Sequence, residues 1–376
     1  MPDRLRSLDV ARGIAALAVV FWHWQHFFMD VNPLGHDNNL AAFNAASQPL
    51  YSWFSGFYDH GYRAVMFFFV LSGFVFFWLY SDSISQRRCS LQKFAVLRFA
   101  RLYPLHLVTL LIVALLQWYC REHWESDFAY SFNDGYHFGL HLIGISYWGF
   151  ESGYSYNAPT WSVSLELGLY AIFFLVAYLG HTTWRKTLGI AAIALLLERL
   201  HLGGCWAEPV GAFFLGGLTY YGSMQYLKRR TNRSDAVLYV ATLLVWVGFS
   251  ITGKFVFRTP VFPLTILTLI VTEIRFSKLF QPLAWIGDIT YSTYLLHFPL
   301  QLVFVITAIE LGFDSGIFYH PASLLIYLAI LIPGSWLTFH YFERPLQTWL
   351  RGALMSKPIS RPAERPTAPL ADVSAT

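Results

Sequence analysis

Ten long apolar segments constrain what this chain can fold into more than any other feature of its sequence. A helix that crosses a lipid bilayer needs about 20 mostly apolar residues. Such segments lie at 9–29, 61–80, 102–119, 159–180, 186–204, 207–226, 235–253, 257–272, 284–309 and 322–342. Only 13% of the 376 residues are charged, whereas a soluble domain carries about 25%. We therefore predict an all-α integral membrane protein, a bundle of about ten transmembrane helices.

The distribution of basic residues supports ten crossings, although Pro260 and Pro263 interrupt the eighth segment. With ten crossings, the amino terminus and the even-numbered connections share one face, and that face holds 21 of the 26 Lys and Arg residues. Positively charged loops stay in the cytoplasm. We therefore predict a multi-pass protein of the plasma (inner) membrane with both termini cytoplasmic. The other five basic residues fall on the outer face: Arg63, Arg121, Arg199, Lys254 and Arg258.

A single membrane domain is predicted over residues 1–346, followed by a cytoplasmic tail over 347–376. Prolines among small and charged residues predict that this tail is disordered. No internal repeat is visible, which argues against a transporter built from two related halves. Cys120 and Cys205 both fall near outer helix ends, and a disulfide between them is left open.

The outer loop over 120–158 is long and rich in aromatic residues. Carboxylates and an asparagine accompany its rings, a mixture that suits stacking on sugar rings and hydrogen bonding to their hydroxyls. A belt of aromatic residues at the membrane interface explains the composition equally well. The rings belong to Tyr130, Tyr136, Tyr147, Trp148, Tyr154 and Tyr156.

His23 is an ionisable residue inside the first apolar segment, which makes it a candidate functional residue by default. Arg12 precedes it by eleven residues, about 16 Å along a helix, and eleven steps of 100° bring both side chains to one face. A cation at the position of Arg12 suits the phosphates of a donor whose reactive end extends to His23. The alternative is that Arg12 pairs with Asp9 and His23 only bonds a neighbouring helix.

Glu166 lies seven residues inside the fourth apolar segment. His23 and Glu166 are each predicted to lie about 10 Å below the outer surface, so the two can meet. A carboxylate beside His23 would fix the tautomer of the ring and stabilise the imidazolium formed when it takes a proton from a hydroxyl. The alternative role for Glu166 is interaction with the positive end of its own helix.

Three further sequence motifs contain small, basic or polar residues. Ser72 and Gly73 lie in the middle of the second segment, where small side chains permit close helix packing or passage of an acyl-pantetheine chain. Arg98 and Arg101 lie one turn apart at the predicted cytoplasmic entrance and suit a phosphorylated ligand. The general excess of Lys and Arg on the cytoplasmic side of membrane helices also explains basic residues at these positions. His297, at mid-membrane in the ninth segment, either supports the site or satisfies a neighbour.

Together these motifs resemble the acyltransferase 3 family of membrane-bound acyltransferases over residues 4 to 346. Arg12 and His23 match the family's pattern of a basic residue, ten residues and a histidine, and Ser72 and Gly73 lie in its Phe-Phe-x-x-Ser-Gly-Phe motif. The remaining matches follow in the family's order: Arg98 to Pro104 (Arg-x-x-Arg-x-x-Pro), Trp161 to Glu166 (Trp-Ser-x-Ser-x-Glu), Tyr291 to His297 (Tyr-Ser-x-Tyr-Leu-x-His) and Phe342 to Pro345.

The resemblance implies transfer of an acyl group, usually acetyl, from cytoplasmic acyl-CoA to a hydroxyl, often on a glycan, with Arg12 and His23 as the functional pair. Some relatives carry a fused extracytoplasmic hydrolase-like domain, which we do not expect here. We predict acetyl-CoA as donor substrate, contact with membrane lipids, and neither a metal nor a nucleic-acid partner. Two alternatives stay open: a proton-coupled glycan transporter that uses His23, Glu166 and His297, and an acyltransferase for a small cytoplasmic acceptor such as a macrolide.

Overall fold

The computed structural model describes residues 4–35, 41–253 and 255–355, and the described chain consists of helices joined by loops and short turns, with no β-strand in these ranges. Its α-helices are α1 (Arg6–Trp22), α2 (Tyr51–His60), α3 (Ala64–Ser85), α4 (Leu91–Trp124), α5 (Gly135–Leu142), α6 (Trp161–Tyr178), α7 (Trp184–Arg199), α8 (Ala207–Arg229), α9 (Asn232–Thr252), α10 (Phe255–Arg275), α11 (Ala284–Asp288), α12 (Thr290–Glu310), α13 (Pro321–Thr338) and α14 (Arg344–Leu354).

The all-helical prediction is confirmed, and each predicted apolar segment falls largely on a helix. Within the described ranges, six helical stretches are long and apolar enough to cross a membrane: Tyr51–Ser85, Leu91–Trp124, Ala158–Tyr178, Asn232–Thr252, Thr290–Glu310 and Pro321–Leu354. The chain is therefore an integral membrane protein. Ten crossings, and the side on which the termini lie, stay predictions.

Several boundaries differ from the predicted ones. Helix α4, which contains the third apolar segment, begins at Leu91 rather than near residue 102. Arg98 and Arg101 therefore lie inside this helix. The predicted ninth helix is broken after Asp288. Residues 347–354, which the sequence placed in the tail, continue the last helix to Leu354. The rest of the predicted tail, from residue 356, lies outside the described residues.

Helix α1 is anchored at its start by a carboxylate from another helix. The Glu273 side chain accepts hydrogen bonds from the backbone N–H of Arg6 (2.9 Å), the backbone N–H of Ser7 (2.9 Å) and the Ser7 hydroxyl (2.7 Å). The first N–H groups of a helix have no partner within it, and an oxygen acceptor there stabilises the helix. This contact fixes the position of α1, which carries Arg12 and leads directly into His23.

At its other end, α1 tightens into a 3₁₀ segment over His23–Phe28. The Gln301 side-chain amide donates a 2.8 Å hydrogen bond to the His23 carbonyl. This donor from α12 gives the carbonyl a partner from outside the helix at the point where the α-helical pattern ends. The predicted continuous helix to residue 29 is therefore replaced by an α-helix and a 3₁₀ turn.

Glycines allow the central helices to pack backbone to backbone. A Cβ atom on Gly73 would lie 1.8 Å from the Phe213 carbonyl oxygen, and one on Gly216 would lie 1.9 Å from the Val70 carbonyl oxygen. Both contacts join α3 to α8. Similarly, a Cβ atom on Gly287 would lie 2.6 Å from the Asp9 carbonyl oxygen. These contacts hold α3 and α1 in place around the candidate site.

Cys89, Cys120 and Cys205 are all free thiols in the structure, so the disulfide left open by the sequence is not formed.

Candidate active site

The candidate site consists of two cavities, each lined in part by residues of α3. We call the first the arginine cavity. It has a volume of about 860 Å³, open mouth included, and its polar lining includes Arg12, Ser72, Arg98, Arg101, Glu166 and Tyr170. We call the second the histidine cavity. It has a volume of about 1540 Å³ on the same measure, and its lining includes Trp22, His23, His26, Tyr62, Arg63, Tyr130, Tyr154, Trp161, Glu208 and Arg258. Val65 lines both cavities.

Arginine side chains from two helices meet in the arginine cavity. Arg12 comes from α1, whereas Arg98 and Arg101 come from α4. Arg98 donates a 2.7 Å hydrogen bond to the Tyr80 hydroxyl and lies over the Phe76 ring. Among the described residues, Arg12 and Arg101 form neither a hydrogen bond nor an ion pair. Guanidinium groups that form no direct ion pair are well suited to bind phosphate.

Arg12 is not the partner of Asp9. The Asp9 carboxylate instead accepts a 2.6 Å hydrogen bond from Arg4, which also donates to Asp288. The alternative in which Arg12 only pairs with Asp9 is therefore not realised in the structure.

Glu166 lies in the arginine cavity and does not contact His23. Its carboxylate accepts a 2.8 Å hydrogen bond from the Ser72 hydroxyl and a second hydrogen bond from the Tyr170 hydroxyl. The predicted His23–Glu166 meeting is therefore wrong. A similar predicted depth did not bring the two side chains together, because α3 packs against both α1 and α6 and the two residues line different cavities.

The structure separates the two small residues of the second segment. Ser72 lines the arginine cavity, and its predicted contact with the donor stays a prediction. Gly73 points the other way, onto the backbone of Phe213 in α8. Its role is close helix packing, and the prediction that Gly73 binds the donor is not supported by this geometry.

His23 is paired with His297. The Nδ1 atom of His23 lies 3.0 Å from the Nε2 atom of His297, and the two rings are stacked. The Nδ1 atom of His297 lies 2.6 Å from the Tyr294 carbonyl oxygen. A carbonyl only accepts, so His297 donates through Nδ1 and, when neutral, accepts through Nε2. His23 must then carry its proton on Nδ1, which leaves Nε2 as a free acceptor.

A second polar chain lies beside this pair, and the sequence did not predict it. The Gln301 amide nitrogen donates to the His23 carbonyl, so its amide oxygen faces the His26 Nδ1 atom at 3.0 Å. The Tyr130 hydroxyl lies 2.9 Å from His26 Nε2 and must donate to it. The sequence signal was Gln301, a polar residue one helical turn after His297.

Part of the aromatic outer loop reaches the histidine cavity. Tyr130 and Tyr154 line it, together with Trp161 from the start of α6. The Tyr147 and Tyr154 rings are stacked with centroids 5.3 Å apart. The loop therefore contributes rings to the wall beside His23. The described residues contain no group of three His, Cys, Asp or Glu side chains placed to hold a metal ion.

The site thus combines a cavity lined by Arg12, Arg98 and Arg101 with a second cavity lined by His23 and His26. The chain belongs to the acyltransferase 3 family: the sequence model described as "Acyltransferase domain" matches residues 5–349. It is therefore an acyltransferase enzyme, and this membership replaces the transporter alternative.

Three curated relatives have similar sequences. The protein named "Putative membrane-bound transacylase BcsY", from Komagataeibacter xylinus, is 26% identical over 367 residues, covering 91% of this chain and 83% of the relative. "Acyltransferase MdmB", from Streptomyces mycarofaciens, is 33% identical over 45% of this chain and 38% of the relative. "Protein 2 in picA locus", from Rhizobium radiobacter, is 34% identical over 30% of this chain and 46% of the relative. No solved structure matches the chain.

Proposed function

We propose that this enzyme transfers an acetyl group from acetyl-CoA to a hydroxyl of an extracytoplasmic or lipid-linked glycan. The observation that carries the proposal is the contact between His23 Nδ1 and His297 Nε2. His297 accepts from Nδ1, so the Nε2 lone pair is free, and His23 lies in the wall of a cavity large enough for sugar residues. A neutral imidazole oriented by a partner is what a general base requires.

The arginine cavity is the proposed donor site. The phosphates of acetyl-CoA would bind Arg98, Arg101 and Arg12, with Ser72 beside the pantetheine chain. Arg12 and His23 are about 16 Å apart along one helix, a distance comparable to an extended pantetheine arm. The thioester would then pass Val65, which lines both cavities. Glu166 holds Ser72 and Tyr170 and is proposed as a positioning residue of the donor site.

The reaction then follows from the position of His23. Its Nε2 atom takes the proton of the acceptor hydroxyl while the hydroxyl oxygen attacks the thioester carbonyl. The carbon–sulfur bond breaks, an ester forms, and the leaving thiolate takes the proton from the imidazolium. The alternative, in which Nε2 is itself acylated first, uses the same free lone pair.

The glycan acceptor is supported by the rings around His23. Trp161, Tyr130 and Tyr154 provide apolar faces for sugar rings beside hydroxyls that hydrogen-bond. With the predicted orientation in the inner membrane, the arginine cavity would face the cytoplasm and the histidine cavity the outer side, so donor and acceptor would enter from opposite faces.

The first test is transfer of labelled acetyl from acetyl-CoA to glycan in membranes that contain the wild-type or the His23→Ala protein. We expect transfer to fall by roughly 10²-fold or more, the contribution typical of a general base. His123→Ala is the matched control, because His123 is an exposed histidine at the end of α4. Acetyl transfer at the wild-type rate by the His23→Ala protein would contradict the proposal.

A second experiment separates the mechanisms and the acceptor classes. Label from the donor is supplied without any acceptor, and only an acylated histidine leaves acid-labile label on the protein. Acylation of a small cytoplasmic acceptor, with no transfer to glycan, would support the alternative acceptor instead.

A further inference from the structure

We infer that the acceptor carries an anionic group, a carboxylate or a phosphate, which binds Arg63 while the acceptor hydroxyl lies at His23. This inference rests on the proposed function and adds the chemical class of the acceptor. It starts from the position of Arg63, the last residue of a 3₁₀ turn over Gly61–Arg63 that leads into α3.

The turn that carries Arg63 lies directly against α1. A Cβ atom on Gly61 would lie 2.0 Å from the Ala18 carbonyl oxygen, so only glycine permits this approach. The adjacent Tyr62 ring lies 5.0 Å from the ring of Trp22, the residue before His23. Arg63 and His23 therefore line the same cavity from neighbouring elements.

The Arg63 guanidinium is held in place but has no acidic partner. It lies over the Phe249 ring, 4.4 Å from the centroid, and its Nε atom donates a 3.2 Å hydrogen bond to the Tyr62 hydroxyl. No Asp or Glu of the described chain forms an ion pair with it. These contacts leave the two terminal amino groups of the guanidinium for a ligand, in the fork geometry that matches carboxylate and phosphate.

The other arginine of the cavity shows the contrast. Arg258 forms ion pairs with Glu198 and Glu208. Of the described residues that line the histidine cavity, Glu208 is the one with an acidic side chain. The positive charge of Arg258 is therefore compensated within the protein, whereas that of Arg63 is not.

Aromatic rings of the histidine cavity lie beside Arg63. The rings of Trp22, Tyr62 and Trp161 line the same cavity and would contact the sugar that bears the anionic group.

The test measures binding of three matched oligosaccharides to the purified full-length protein in lipid nanodiscs. One contains glucuronate, one is its carboxyl-reduced neutral counterpart, and one carries a phosphate ester on the same sugar. Trp22 and Trp161 line the cavity, so tryptophan fluorescence reports occupancy without any acyl transfer. The charged ligand that binds with the higher affinity shows whether the natural anion is a carboxylate or a phosphate.

For the wild type we expect an anionic ligand to bind about tenfold more tightly than the neutral one, as expected for one charge-assisted contact. Arg63→Gln should remove this preference and leave neutral binding unchanged, and Arg63→Lys should retain part of it. Arg121→Gln is the matched control, since Arg121 is an outer arginine paired with Asp127. In transfer assays Arg63→Gln should raise the KM for the anionic acceptor and leave the KM for acetyl-CoA unchanged.

Two results would overturn the inference. One is equal wild-type affinity for the neutral and both charged ligands, and the other is an equal loss of affinity for all three ligands in the Arg63→Gln protein. Failure of the proposed function looks different. In that case no acceptor is acetylated, while the wild type still binds the anionic ligand more tightly and Arg63→Gln does not, which would support the inference by itself.

Discussion

The Nε2 atom of His297 lies 3.0 Å from the Nδ1 atom of His23, and the Tyr294 carbonyl on the far side of the His297 ring determines which of the two histidines donates. The pair resembles a base and its orienting partner, except that the partner is neutral. A neutral acceptor fixes the tautomer of His23 without a buried carboxylate, whose desolvation in a membrane protein is costly.

His297→Leu should lower kcat strongly and change the KM for acetyl-CoA little. Without an acceptor at Nδ1, the His23 ring is free to choose the other tautomer, so the productive lone pair is populated less often. We expect a loss of roughly 10²-fold, measured by transfer kinetics in membranes. His297→Gln is the matched control because its amide oxygen can take the place of Nε2, and it should recover part of the rate. Equal losses in the two variants would instead indicate that the residue only fills space.

Arg12→Gln and Arg101→Gln should each weaken donor binding through the phosphates. Charge-assisted bonds contribute about 1.5–3 kcal/mol each, so the KM for acetyl-CoA should rise at least about tenfold. S-acetyl-pantetheine is the control donor, since it lacks the nucleotide phosphates. The wild type should prefer acetyl-CoA over it, and the variants should lose most of this preference. If the variants reduce acetyl transfer from both donors by the same factor, the arginines do not act through the phosphates.

Gly73→Ala should destabilise the protein rather than alter donor binding. The added Cβ would meet the Phe213 carbonyl oxygen at 1.8 Å, and overpacking of this kind typically costs about 1–3 kcal/mol or more. We expect a lower Tm in detergent and a smaller folded fraction. Gly222→Ala is the control, because nothing lies within 4 Å of a Cβ atom there. A raised KM for acetyl-CoA with an unchanged Tm would return Gly73 to the donor site.

Helix α5 should lose protection from hydrogen exchange at acidic pH. The backbone N–H and the ring of His137 both donate to the Asp134 carboxylate, and these bonds lower its pKa. A carboxylate with a lowered pKa stabilises the fold above its unfolded pKa, about 3.9, and this contribution is lost as the pH falls through the folded pKa. Amide protection in α5, corrected for intrinsic exchange rates, should therefore fall between about pH 5 and pH 2.

Asp134→Asn provides the control for this prediction. Asparagine still caps a helix but does not titrate, so its α5 protection should depend less on pH. An equally steep loss of protection in this variant would show that another group is responsible.

The sequence was sufficient for the features that depend on hydropathy and periodicity. Apolar segments predicted the helices. The eleven-residue interval predicted one shared helix face for Arg12 and His23, and the structure places them in the walls of two cavities that share Val65. The motif order predicted the family, which the match over residues 5–349 confirms. The roles of Arg12 and His23 stay predictions until they are tested.

Partners between distant helices were less predictable. Glu166 was expected beside His23 because the two have similar depths, yet it bonds Ser72 and Tyr170. His297, whose role was left open between supporting the site and satisfying a neighbour, contacts the His23 ring. Arg63 was predicted only as one of five basic residues on the outer face, with no role in the site. The close approach of the turn at Gly61 to α1 brings it to the cavity.

The sequence by itself thus determined which segments are helical, because long apolar segments satisfy their backbone polar groups internally only as helices. The depth of each polar residue in the membrane stays a prediction. The tertiary structure decided which polar side chains meet. That outcome depends on how each helix is rotated and on which helix lies beside it, and glycine contacts such as Gly73 against Phe213 and Gly287 against Asp9 set this through packing between residues far apart in the chain.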